Sequence, residues 1–214
     1  MLHIILGGTF DPIHWGHLRP LLKLGDQLNA TQLQLMPSAQ PPHRDQPGAT
    51  AAQRLKMVEL ACQVDARLCP QPWELEQARP SYTQQTLAEL QAHYRAPLAF
   101  VLGYDSWQQL HQWFNWQQLL HHAHLIVLPR PQLNSPPPLA QSLQLFQQQH
   151  QTAALHSLQQ MPSARALGKL YFAKTELYPI AATQIREAIS RGTAWQHWLP
   201  QPVADFIVAQ QLYQ

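Results

Sequence analysis

Short apolar runs of strand length recur along the chain, separated by longer stretches whose apolar residues repeat with helical period. The strand candidates are "LHIILG" (2–7), "TQLQLMP" (31–37), "ARLCP" (66–70), "PLAFVLG" (97–103), "AHLIVLP" (123–129) and "KLYFA" (169–173). Helical patterns fall between them at about 15–28, 50–64, 82–95, 106–121 and 139–149, with two more at 183–190 and 202–212. Gly192 is suited to end the first of these two, and Pro202 to open the second. Strand and helix in strict alternation predict an α/β fold, a doubly wound parallel sheet with crossover helices. At 214 residues the chain is expected to form a single domain over 1–214, its C-terminal helices (183–212) packing back onto the site.

Two segments break this rhythm. "PSAQPPHRDQPGA" (37–49) and "PRPQLNSPPP" (129–138) are too rich in proline for regular structure. Each follows a predicted strand, where the loops of a parallel sheet carry function.

Charged residues make up only 12% of the chain and the net charge is +2. Its cations are scattered, so no basic stripe suits a nucleic acid polymer, while a small phosphorylated ligand fits. The two cysteines, Cys62 and Cys69, lack metal-knuckle spacing and read as reduced core thiols. The apolar run at 2–6 is too short for a signal peptide, and no stretch approaches the ~18 apolar residues of a membrane span. A cytoplasmic protein with no membrane partner is expected. A homo-oligomer is compatible with the sequence.

The chain has 8 glycines and three of them lie in "GGTFDPIHWGH" (7–17). Gly7 and Gly8 end the first strand, where missing side chains let a ligand approach the backbone. A helix then starts near 13–16, its unpaired amides and positive dipole end aimed at the same space. Asp11 is a competent N-cap and Pro12 a natural first-turn residue for that helix. His14 and His17, three apart, share one face and can donate to phosphate oxygens. With 12 histidines in the chain, roughly one such pair arises by chance, so the weight rests on the surrounding pattern. A zinc site built from His14, His17, His121, His122 and His124 lacks the usual ligand spacing.

"GGTFDPIHWGH" resembles the signature of the HxGH nucleotidyltransferases. "PSAQPPHR" (37–44), "RPSYTQQTLAEL" (79–90), "LGYDSW" (102–107), "HQWFNWQQLL" (111–120), "HLIVLPRP" (124–131) and "IAATQIR" (180–186) resemble one branch, the bacterial nicotinate-nucleotide adenylyltransferases, and run in family order. The resemblance implies a Rossmann-like fold. It also implies transfer of AMP from ATP to nicotinate mononucleotide, giving deamido-NAD and pyrophosphate, with Mg²⁺ accompanying ATP. The nucleophile would be a phosphate oxygen, already ionised, so alignment and charge stabilisation suffice.

By the same resemblance His14, His17 and Arg44 are catalytic, and Gly7, Gly8 and Thr9 line the nucleotide cleft. Gly103, Asp105, Arg130, Thr183, Ile185 and Arg186 join the two histidines around ATP. Phe10, Tyr82, Thr83, Asp105 and Trp113 form the acceptor site, with the Trp113 indole stacked on the nicotinate ring. Residue by residue, plainer roles stay open: Trp113 as core, Asp105 as a helix cap, and Arg44, Arg130 and Arg186 as solvated surface cations. Beside His43, Arg44 stands where the family more often has lysine.

One departure stands out. Ala181 and Ala182 replace the hydroxyl pair the family usually carries before Thr183, at a cost of roughly 1.5–3 kcal/mol per lost bond to a charged phosphate. Two other functions therefore stay open. One is another HxGH transferase, acting on phosphopantetheine or making a CDP-alcohol; the other is a non-catalytic nucleotide binder.

Overall fold

The structure, a computed structural model, describes residues 2–39, 47–77, 79–94, 96–130, 138–162 and 166–214. All six predicted strands are present: β1 (His3–Gly8), β2 (Leu33–Pro37), β3 (Leu68–Pro70), β4 (Leu98–Gly103), β5 (His124–Leu128) and β6 (Leu170–Phe172). They form one sheet in the order β3-β2-β1-β4-β5-β6, and every pairing is parallel. Successive strands run outward one way from β1 and the other way from β4. The switch point, where such sheets bind ligands, therefore lies between those two strands.

The helices are α1 (Trp15–Leu28), α2 (Ala51–Ala61), a short α3 (Trp73–Glu76), α4 (Thr83–His93), α5 (Tyr104–Gln108), α6 (Gln141–His150), α7 (Ala182–Ser190) and α8 (Gln201–Ala209). Alternate residues of the central strands feed two cores. Ile4, Leu6, Ala99, Val101 and Ile126 pack with Leu18, Leu21 and Leu24 of α1 and with α2, α7 and α8. Ile5, Leu98, Phe100, Leu102 and Val127 pack on the other face with Leu87 and Leu90 of α4, Trp107 of α5 and Phe146 of α6. Period-two alternation of buried residues on both sides is what a doubly wound sheet demands.

Local chemistry closes several ends as expected. The Thr50 hydroxyl accepts from the Gln53 amide at 3.3 Å while the Gln53 side chain accepts from Thr50 N–H at 2.9 Å, a reciprocal cap on α2. Gly192 takes φ +65° after α7. Its N–H donates to Ile189 O at 3.0 Å and Thr193 N–H donates to Ala188 O at 2.9 Å, the paired bonds of a Schellman ending.

Three expectations need correction. The span 106–121 is not one helix: α5 stops at Gln108, and 3₁₀ turns follow at Leu110–Gln112 and Trp116–His121. Asn115 between them has φ +47°, which a right-handed helix cannot absorb. The N-cap of α1 is His14, with extended backbone (φ −151°, ψ 171°), so Asp11 and Pro12 precede the helix instead of capping it. Cys62 and Cys69 are free but only half-buried, and burial pushes the Cys62 thiol up to about 12. Among the described residues no helix is long and apolar enough to cross a membrane.

Candidate active site

A cavity of about 860 Å³ opens over the carboxyl ends of β1 and β4, within the size range of small-molecule sites. A smaller hollow of about 340 Å³, bordered by Ile189, Trp195 and Ile207, has no titratable side chain in its wall. The larger one is bordered by titratable side chains, among them His17, Glu74, Asp105 and Arg186.

The lining of that cavity combines two kinds of group. Gly7, Gly8, Thr9 and His17 border it, with Thr183 and Arg186 from the start of α7. So do the aromatic rings of Tyr82, Phe100, Trp113 and Phe114. Phe10, Thr83, Gly103, Asp105 and Arg130 also border the space. The glycines are there for room: a Cβ on Gly7 would meet the Phe100 ring at 2.4 Å, and one on Gly103 would meet Asp105 Oδ1 at 2.4 Å.

The two histidines are placed unequally. His17 lines the cavity, whereas His14 is 1% exposed and lies against it, ring centroids 3.8 Å apart. The His14 backbone N–H donates to His17 Nδ1 at 3.3 Å. A neutral His17 ring accepting there carries its proton on Nε2. Desolvation and the nearby Arg130 hold the His14 pKa well below the ordinary histidine value, so that ring is neutral. Its buried Nδ1 has no hydrogen-bond partner among the described residues. Gly16 lets the pair sit this way, since a Cβ there would come within 2.9 Å of both the His14 ring and the Ile180 carbonyl oxygen.

Pro20 lies inside α1 and lacks the N–H that would bond the Gly16 carbonyl. Arg130 takes that carbonyl at 2.9 Å, which holds its guanidinium at the mouth of β5. Its Nε lies 3.8 Å from Asp105 Oδ1.

Asp11 is a hub. Its carboxylate accepts from Gly48 N–H at 2.8 Å, Ala49 N–H at 3.0 Å and the Tyr213 hydroxyl at 2.7 Å. Its carbonyl accepts from Arg186 at 2.7 Å. The sequence alone did not point to Tyr213, nor to Arg54. Arg54 is 1% exposed and donates to Thr9 O, Ser38 O and Ala39 O at 2.8, 2.7 and 3.0 Å. It therefore ties together the chain leaving β1 and the chain leaving β2. An arginine on a helix face has no sequence signal for such a role, because its partners lie up to 45 residues away. Glu74 was missed as well. It borders the cavity, is 5% exposed and accepts from the Thr86 hydroxyl at 3.0 Å. Burial, partly offset by bonds to Ser81 and Thr86, raises its pKa.

Of the other expected site residues, Ile185 is fully buried in the core and does not reach the cavity through its side chain. Apolar packing beneath the first turn of α7 has claimed it. His43 and Arg44 lie outside the described residues. Trp113 contacts the Phe100 ring edge-on at 6.5 Å and still faces the cavity, while Trp107 is fully buried. Asp105 falls in the first turn of α5 behind the N-cap Gly103, with a 60% exposed side chain.

The distal histidines have structural partners. His124 is 2% exposed; its Nε2 bonds the Gln160 carbonyl at 2.7 Å and its Nδ1 accepts from Lys169 N–H at 2.9 Å. His122 pairs with Gln84 and Gln91. Burial lowers the pKa of both. Among the described residues no three His, Cys, Asp or Glu side chains are grouped to hold a metal ion.

A doubly wound switch point whose cavity is lined by glycines, polar groups and aromatic rings defines a class of α/β nucleotide-handling protein, and similarity narrows it. A model of the cytidylyltransferase-like family matches residues 5–188. A probable nicotinate-nucleotide adenylyltransferase of Serratia proteamaculans (strain 568) is 41% identical over 215 residues, covering 100% of this chain and 96% of the relative. One of Idiomarina loihiensis is 40% identical over 214 residues, covering 100% of both. Among solved structures, the Plasmodium falciparum nicotinic acid mononucleotide adenylyltransferase complexed with NaAD superposes with a TM-score of 0.72 at 15% identity, covering 99% of this chain and 97% of that one. The same protein complexed with APC gives 0.68 at 16%, covering 99% and 96%; at such identity these two comparisons bear on the fold alone. The chain belongs to the cytidylyltransferase-like family and, within it, to the nicotinate-nucleotide adenylyltransferases.

Proposed function

We propose that the protein transfers AMP from ATP to nicotinate mononucleotide, forming deamido-NAD and pyrophosphate. The observation that carries this reading is a cavity whose lining combines polar and cationic groups with aromatic rings. The first suit phosphates and the second a flat electron-poor ring.

A phosphate oxygen of the mononucleotide attacks the α-phosphorus of ATP. The new P–O bond forms as the bond to the β-phosphate breaks, and pyrophosphate leaves. The attacking oxygen is already ionised, so no general base is required. The protein's task is to align the two reactants and to stabilise charge on the oxygens of the reacting phosphorus. We assign that stabilisation to His17, whose neutral ring offers Nε2–H, with His14 as a neutral support beneath it. Arg186, Arg130, Thr183 and the first amides of α7 bind the ATP phosphates, and Gly7, Gly8, Thr9 and Gly103 make room for the nucleotide. With alanine at 181 and 182, those amides and Thr183 do the work of the absent hydroxyls. Mg²⁺ travels with ATP, where its charge offsets that of the phosphates.

Trp113 stacks on the acceptor ring, with Tyr82, Thr83, Phe10 and Asp105 around it. Arg44 belongs to this proposal as a cation for the phosphates. The reaction is proposed to take place in the cytoplasm, within one domain spanning the chain.

Purified protein with Mg²⁺-ATP and, in turn, nicotinate mononucleotide, nicotinamide mononucleotide and phosphopantetheine tests the reading. Pyrophosphate release is expected with the nicotinate acceptor. Release only with a non-nicotinate acceptor overturns the assignment, and ATP binding without release from any of them identifies a non-catalytic relative. His17→Ala is expected to lower kcat by about 10²–10³-fold with a much smaller change in ATP affinity, because its contact strengthens in the transition state. Equal losses in both refute that role.

A further inference from the structure

Arg186 reaches the cavity from α7, and its Nη1 is held by Asp11, whose carbonyl accepts from it at 2.7 Å. Asp11 Oδ2 lies 3.8 Å from the same nitrogen, an ion pair without a hydrogen bond. The Asp11 carboxylate is itself fixed by three other donors: the Gly48 amide on Oδ2, and the Ala49 amide and the Tyr213 hydroxyl on Oδ1. Tyr213 is 202 residues away in sequence from Asp11 and follows α8, in a turn where Gln211 and Tyr213 itself take positive φ values of 50° and 65°. Neither residue is glycine, so packing pays for that backbone. The Tyr213 ring is also the nearest neighbour of Gly48, 3.1 Å from where a Cβ would sit.

We propose that Tyr213 is a positioning residue for AMP transfer: by bonding Asp11 Oδ1 it fixes the residue whose carbonyl holds Arg186 Nη1, and so sets where the rest of the guanidinium meets the nucleotide phosphates. This rests on the reading of Arg186 as a phosphate contact. Asp11 is 7% exposed and Tyr213 half-buried, so water is a poor substitute for the phenol. Burial and the Asp11 charge keep the phenol protonated, and it acts as a donor throughout the neutral range. The same contact pins Pro47 to Ala49, the described edge of the segment that carries Arg44, against the mouth of the cavity.

The test is a double-mutant cycle between Tyr213→Phe and Arg186→Ala, read as kcat/KM for ATP, KM for the acceptor, and melting temperature. Tyr213→Phe removes one O–H and keeps the ring. It is expected to lower kcat/KM for ATP about tenfold, in line with a sub-ångström misplacement of a binding group, while the acceptor KM stays near wild type. In the Arg186→Ala background it is expected to do nothing further, because the group it positions is gone. Wild-type kinetics in Tyr213→Phe, full additivity in the cycle, or a loss shared by both substrates overturns the proposal. If Arg186→Ala leaves ATP kinetics untouched, it is the phosphate reading of Arg186 that fails. Should Tyr213→Phe melt near assay temperature, the cycle is read in the cold as ATP affinity by calorimetry, with the same outcomes.

Discussion

Arg54 offers the sharpest test of how the site is held. Its side chain is 1% exposed and its guanidinium gives three bonds, to Thr9 O at 2.8 Å, Ser38 O at 2.7 Å and Ala39 O at 3.0 Å. Thr9 follows β1 and the other two follow β2, so one side chain on α2 clasps two loops that border the cavity. Arg54→Met keeps the apolar stem and removes every donor. A buried carbonyl deprived of a charged donor costs about 1–3 kcal/mol, so the three together come to roughly 6 kcal/mol. No longer burying a guanidinium returns several kcal/mol, leaving a net loss of about 3 kcal/mol. For a chain of this size that lowers Tm by about 6–12 °C.

Arg54→Lys keeps the charge but cannot span three carbonyls with one ammonium group, and should recover little. Thermal unfolding with and without ATP, alongside kcat and KM, measures both consequences. The ATP KM is expected to rise in the variants even well below their Tm, because Thr9 loses its anchor. An Arg54→Met protein melting within about 2 °C of wild type with unchanged kinetics would refute the clasp.

Two further predictions follow from single contacts. Gly16→Ala gains up to about 1 kcal/mol of helix propensity, yet its Cβ would lie 2.9 Å from the Ile180 carbonyl oxygen and the His14 ring. kcat should fall by at least about tenfold as the histidine pair shifts, and an active, stabilised variant would count against the packing argument. Glu74 has a pKa raised by burial, so its native protonated form is favoured below the unfolded value of about 4.3. That stability is lost as pH rises through the higher folded pKa. Glu74→Gln should therefore gain Tm relative to wild type as pH climbs from acid to neutral, and a difference that is flat or falls with pH contradicts it.

Much of this protein was legible before any coordinates. Six strands and α1 follow from local apolar periodicity, because each strand buries both faces in a doubly wound sheet and reads as a short apolar run. The Gly192 ending of α7 follows from the same kind of local rule. The glycines of 7–17 marked the turn after β1, which lines the cavity, for reasons contained within a dozen residues. Periodicity misjudged 106–121, where the apolar residues do recur at helical spacing. Only tertiary packing sent Trp107 into the core, Trp113 to the cavity and Asn115 into a left-handed turn between them.

The same limit explains His14 and Ile185, whose residue types suit a nucleotide site while their positions bury them. Arg54, Glu74 and Tyr213 were invisible for a complementary reason. A hydrogen bond such as Tyr213 to Asp11 joins groups 202 residues apart, and neither neighbourhood carries any mark of the other. Short-range order is written in the period of the chain, whereas the distances that set a site's chemistry exist only after the sheet has brought its ends together.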